Sequence, residues 1–141
     1  MADASFYEQI DHTADLGIRV RGESLQLLFA NAARALVDLH TDLRAVEAHD
    51  SRRVEARGED WPDLLRHWLR ELHYLYETER LLLPEVSVVE LAEDHIVADC
   101  RGERFDDARH ETRGEIKAVT HHGLDLWETE EGFEAEVIFD L

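Results

Sequence analysis

Asp60-Trp61-Pro62-Asp63-Leu64-Leu65-Arg66-His67-Trp68-Leu69-Arg70-Glu71-Leu72-His73-Tyr74-Leu75-Tyr76 is the stretch that decides the fold. Trp61, Leu64, Leu65, Trp68, Leu69, Leu72, Leu75 and Tyr76 recur at the spacing of a single helix face. Asp60 has the side chain of an N-cap, and Pro62 falls in the first turn, where a missing N–H removes no helix bond. The spacing predicts an amphipathic helix ending near Glu79, with its tryptophans in the core. After Pro84 the period drops to two. Val86, Val88 and Leu91 mark one strand, and Ile96, Ala98 and Cys100 the next.

Working outward, Ser24 is a second N-cap. Leu25, Leu28, Phe29, Ala32, Leu36 and Leu39 follow it at helical spacing, which predicts a helix of about four turns. Before it, Phe6 to Ile10 is rich in strand-forming residues, and Leu16-Gly17-Ile18-Arg19-Val20-Arg21 alternates apolar and polar until Gly22 breaks it. Arg52 to Ala56 alternates between the two helices. Towards the end, Glu115 to His121, Leu124 to Thr129 and Phe133 to Phe139 read as three strands, with Gly123 and Gly132 where turns are needed. No linker or repeat interrupts the chain, so residues 1–141 are expected to form a single α+β domain: two amphipathic helices packed on a largely antiparallel sheet.

Composition narrows the function. The chain carries 33 acidic residues against 15 basic ones, a net charge of −18. Such a surface repels nucleic-acid phosphates and suits a cation or a cationic protein, so tight direct nucleic-acid binding is not expected. No apolar run approaches the ~20 residues that span a bilayer, and Met1 to Ser5 lacks an apolar signal core, so the expected location is the cytoplasm, away from membranes. The single cysteine, Cys100, excludes an internal disulfide and reads as core. Of the basic residues only Lys117 is a lysine, in a chain that otherwise uses arginine, and an ammonium does what a planar guanidinium cannot.

Three places could carry chemistry. Asp11-His12-Thr13-Ala14-Asp15 lies in a turn between two strands. Two readings fit it: oxygen donors for a hard cation such as Ca²⁺ or Mg²⁺, or side chains that cap the turn. At the other end, Asp140 follows an apolar strand directly and adjoins the α-carboxylate of Leu141, a pair of anionic donors at one point. In the third, Lys117, Val119 and His121 share one strand face, and Thr120 and His122 the other. His67 and His73 face different ways on their helix, and His40, His49 and His95 stand isolated. The chain has no Gly-rich phosphate loop, no zinc-protease His pair and no Gly-x-Ser-x-Gly elbow.

In this order and at this length, four blocks resemble the archease family. They are Asp11-His12-Thr13-Ala14-Asp15-Leu16-Gly17-Ile18; Leu64-Leu65 to Trp68-Leu69-Arg70-Glu71-Leu72; His110 with Glu115-Ile116-Lys117-Ala118-Val119-Thr120-His121-His122; and Val137-Ile138-Phe139-Asp140-Leu141. The resemblance implies an α+β accessory protein of an RtcB-type RNA-splicing ligase, one that promotes ligase guanylylation with GTP and multiple turnover in tRNA splicing and RNA repair. It implies a divalent metal, calcium, held by Asp15, Asp140 and the terminal carboxylate of Leu141. Lys117 matches a lysine linked to ligase activation, with Asp11 and His12 in the same motif. His121 departs from the Tyr of many members. On this reading the protein is a ligase cofactor and not an enzyme. The alternative is a stand-alone metal-dependent hydrolase using Asp15, Asp140 and His12; a third possibility is a general chaperone-like binder.

Overall fold

Ser24 and Asp60 begin the two helices as their side chains require. Ser24 Oγ accepts from the Leu27 N–H at 3.1 Å and opens α1 (Leu25–His40). Asp60 Oδ1 accepts from the Asp63 N–H at 2.9 Å and opens α2 (Trp61–Glu79). Helix α2 stops at Arg80, whose left-handed backbone turns its N–H back to the Leu75 and Tyr76 carbonyls. The apolar stripes read from the sequence are buried: Leu28, Phe29, Ala32, Leu36 and Leu39 on α1, and Leu64, Leu65, Trp68, Leu69, Leu72 and Leu75 on α2. Trp68 Nε1 donates to the Phe29 carbonyl at 3.0 Å, so the largest core side chain also ties the helices together without leaving its N–H unpaired. Trp61 is half-buried and meets Phe29 edge-on at the rim.

The computed structural model describes residues 6–10 and 15–141. Eight strands accompany the helices among these residues: β1 (Tyr7–Ile10), β2 (Leu16–Gly22), β3 (Asp50–Arg57), β4 (Leu81–Ala92), β5 (His95–Arg104), β6 (Ala118–Val119), β7 (Asp125–Thr129) and β8 (Gly132–Asp140). All their pairings are antiparallel. They form two sheets rather than one: β1-β2-β8-β6, with β7 also on β8, and β3-β5-β4.

Two strands differ from the sequence expectation. β4 begins at Leu81 and runs through Pro84, because it lies at a sheet edge and its register with β5 slips between Leu82 and Glu85. The slip brings the Leu82 carbonyl so close to Gly102 that an added Cβ would lie 1.7 Å from its oxygen. The predicted strand from Glu115 to His121 shrinks to Ala118–Val119. β7 takes the stretch of β8 from Gly132 to Glu136, which leaves β6 only its far end. Gly132 starts β8 at φ 147°, where a side chain would also strike the Gly22 carbonyl.

The core lies where the helices cover the sheets. α1 packs on β2 and β4, and α2 on β3. Ile18 and Val20 of β2 face it beside Val137 and Ala135 of β8, all fully buried, with Phe139 next in line. The alternate residues form the outer face, where Arg19 pairs with Glu136 and Arg21 with Glu8. Among the described residues no helix is long and apolar enough to cross a membrane.

Candidate functional site

The end of β8 gathers what the sequence keeps far apart. β2 and β8 pair with Leu16 opposite Phe139, so Asp15 and Asp140 stand one residue beyond that pair on neighbouring strands. On the other side of β8, Ala118 is opposite Asp140, and the Lys117 N–H donates to the Asp140 carbonyl at 2.8 Å. Asp140 therefore lies between the start of β2 and the start of β6, with Leu141 exposed beyond it. Strand alternation turns Phe139 into the core and Asp140 to the opposite face. The short β6 is anchored by Thr120, whose N–H and Oγ both donate to the Ile138 carbonyl at 3.0 Å.

Among the described residues no hydrogen bond or ion pair engages the Asp140 side chain. Asp15, Asp140 and the α-carboxylate would offer only oxygen, the donor set of a hard divalent cation. Asp11 and His12 lie outside the described residues. His121 and His122 follow β6 as exposed residues with ring centres 5.1 Å apart. Cys100 is fully buried, and burial pushes its thiol up to about 12, in keeping with a core residue.

A second carboxylate centre was not read from the sequence. Glu103, near the end of β5, is buried and accepts from the Glu47 N–H at 2.7 Å, from Arg109, and from His110 Nε2 at 3.1 Å. The Asp106 N–H donates to His110 Nδ1 at 2.9 Å, so Nε2 carries the proton that reaches Glu103. Burial works against the charged form of Glu103. The Glu47 N–H, Arg109 and His110 outweigh it and hold the carboxyl below its ordinary value. Donor atoms of Glu47, His49 and Glu103 lie within 4.8 Å of one another, but Glu103 is already engaged by these protein donors.

The expectation that His40 stands isolated is corrected. It ends α1 against His73 of α2, with ring centres 5.7 Å apart, and Tyr76 stacks on it at 3.9 Å. The pair is invisible in sequence because its members come from different helices. His49 and His95 also have neighbours: His49 Nε2 is 2.6 Å from Glu47, and His95 contacts Asp94 and Glu90.

Fold and edge together define a small acidic α+β domain whose distinctive residues meet at the end of its last strand. Residues 7–141 match the Archease protein family. The chain is 38% identical to the archease of Methanopyrus kandleri, covering 96% of this chain and 99% of that one. It is likewise 38% identical to the archease of Methanothermobacter thermautotrophicus, over 96% and 98% of the two chains. The solution structure of Methanobacterium thermoautotrophicum protein 1598 superposes with a TM-score of 0.80 at 37% identity, covering 96% of this chain and 99% of that one. A Thermotoga maritima crystal structure described as an archease and possible chaperone shares the fold, with a TM-score of 0.65 at 19% identity over 95% and 96% of the two chains. The chain belongs to the archease family.

Proposed function

We propose that this protein is a cytoplasmic accessory factor of an RtcB-type RNA ligase, promoting guanylylation of the ligase with GTP and its repeated turnover in tRNA splicing and RNA repair. The ligase performs the chemistry and binds the RNA. The observation that carries this reading is the β2-β8-β6 register, which brings the start of β2, the end of β8 and the Lys117 backbone to one edge. Those segments hold the residues the family resemblance singles out.

On this reading Asp15, Asp140 and the Leu141 carboxylate hold a divalent cation, calcium, whose charge offsets the repulsion among them. Lys117 supplies a compact ammonium beside that acidic edge, suited to an anionic group on the ligase or its nucleotide. Asp11 and His12 belong to the same motif and act with them. The net charge of −18 favours docking on the cationic surface that an RNA-binding enzyme presents.

The test is guanylylation of the cognate ligase with labelled GTP, with and without this protein. Asp15→Ala and Lys117→Ala should each slow the stimulated rate at least tenfold. Undiminished stimulation by both variants would sink the proposal. So would turnover of phosphoester substrates by the protein with no ligase present.

A further inference from the structure

On the face of the five-stranded sheet away from the helices, β2 has a gap where a side chain would be. Gly17 is buried and pairs with Ile10 of β1 on one side and Ile138 of β8 on the other. Its φ is not positive, so its backbone does not call for glycine. The space does. A Cβ on Gly17 would lie 2.8 Å from Ile10 Cγ1 and 3.1 Å from Ile138 Cδ1. Glycine inside a strand marks a place that other groups approach closely, and here two isoleucines reach in from both flanking strands.

Residues directly opposite one another in an antiparallel pair share a face of the sheet. Ile10, Gly17 and Ile138 therefore share the outer face, while Ile18, Val137 and Phe139 fill the inner one. Ile138 is nonetheless only 3% exposed, and it stands apart from the main core cluster. Ile10 reaches towards it over Gly17. On another side lies the turn between β6 and β7, where a Cβ on Gly123 would sit 3.6 Å from Ile138 Cγ1. The outer face thus carries a small apolar cluster of its own.

The cluster adjoins the acidic edge. Ile138 precedes Asp140 by two residues on the same strand face, and Gly17 follows Asp15 by two. Ile10 is the last residue of β1, so Ile10 and Asp15 are the two ends of the segment carrying Asp11 and His12. An apolar wall beside charged ligands limits solvent access and lowers the local dielectric. Fixing a ligand before the ion arrives also removes an ordering cost from binding.

We propose that Gly17 is a positioning residue of that edge: its missing side chain lets Ile10 and Ile138 clamp β2 from both sides, which holds Asp15 in place beside Asp140 for a divalent cation. The inference rests on the calcium reading above and deepens it, because it assigns part of the edge's affinity to residues that touch no ion.

The experiment is calorimetric titration of the chelator-treated full chain with Ca²⁺, with the stability of every variant in chelator measured by denaturation. Gly17→Ala should weaken calcium binding at least tenfold, because the new methyl displaces Ile10. Removing the overlapping atoms should reverse much of this: Gly17→Ala/Ile10→Ala should bind at least threefold more tightly than Gly17→Ala. Val54→Ala opens a cavity in the main core under the other sheet and should lower stability while leaving calcium affinity at the parent's value. Ile138→Val removes Cδ1 alone and should weaken binding about threefold. Parental affinity in a folded Gly17→Ala protein would overturn the proposal. So would an equal loss of affinity in Val54→Ala, or a double variant no tighter than Gly17→Ala. If Gly17→Ala does not fold, parental affinity in Ile138→Val overturns it. A parent that binds no calcium would instead defeat the calcium reading itself, and the clamp with it.

Discussion

Both sheets have a central strand with a carboxylate at or next to its last residue, and the two carboxylates meet opposite fates. Glu103, next to last in β5, sits inside a shell of donors: a backbone N–H, an arginine and a histidine whose tautomer is set by the Asp106 N–H. Asp140 closes β8 with its carbonyl accepting from the Lys117 N–H and its side chain without a protein partner among the described residues. The same chemical group serves as an internal strut in one sheet and stays available in the other. What separates them is not the chemical group but whether the protein supplies the countercharge itself. A carboxylate that the fold has neutralised holds the fold together. One that it has not is ready for something from outside.

The contrast is broken most severely by Glu103→Ala. Arg109, His110 and the Glu47 N–H would lose their common acceptor in a buried place, at a cost of about 3 kcal/mol in stability. Chemical denaturation of the variant should show this loss. Asp140→Asn should leave stability in chelator within about 0.5 kcal/mol of the parent, as expected of a side chain with no protein partner. Calcium then sharpens the difference. At 100 times its Kd the ion should stabilise the parent by about 2.7 kcal/mol and the variant far less, read as the shift in Tm between chelator and calcium.

The smallest effect is on pH dependence. Glu103 is held below its ordinary value of 4.5, so the native state binds its proton less readily than the unfolded chain does. Its contribution is complete above pH 4.5 and fades as the pH falls through the lower native value. Glu103→Gln should therefore flatten the acid limb of the stability curve below pH 4.5. Some slope should remain, because Asp42, Glu79 and Asp99, paired with arginines at the surface, are lowered as well. An unaltered acid limb would mean that Glu103 is not the strut described.

Local signals were legible in the sequence, and long-range ones were not. The α2 helix could be read from Asp60 and its apolar stripe because caps and periodicity act within a few residues. The strand from Glu115 to His121 was read too long because its length depends on β7 competing for the same edge of β8. Nothing in residue spacing could join Asp15 to Asp140, since only the β2–β8 register does so; family resemblance supplied that link. The His40–His73 pair carries no local signature because its members come from different helices, and the shell around Glu103 is completed by the Glu47 N–H, 56 residues away in the chain.

The same β2–β8 register has a consequence for how the chain folds. Leu16 cannot find Phe139 until nearly the whole chain is available, whereas β3, α2, β4 and β5 find one another within residues 50–104. Closing a loop of more than a hundred residues is entropically demanding, and contacts so distant slow a domain's formation. The three-stranded sheet and its helix can assemble from local encounters. The five-stranded sheet waits for its last strand, so the edge that carries Asp140 belongs to the slowest-closing part of the molecule.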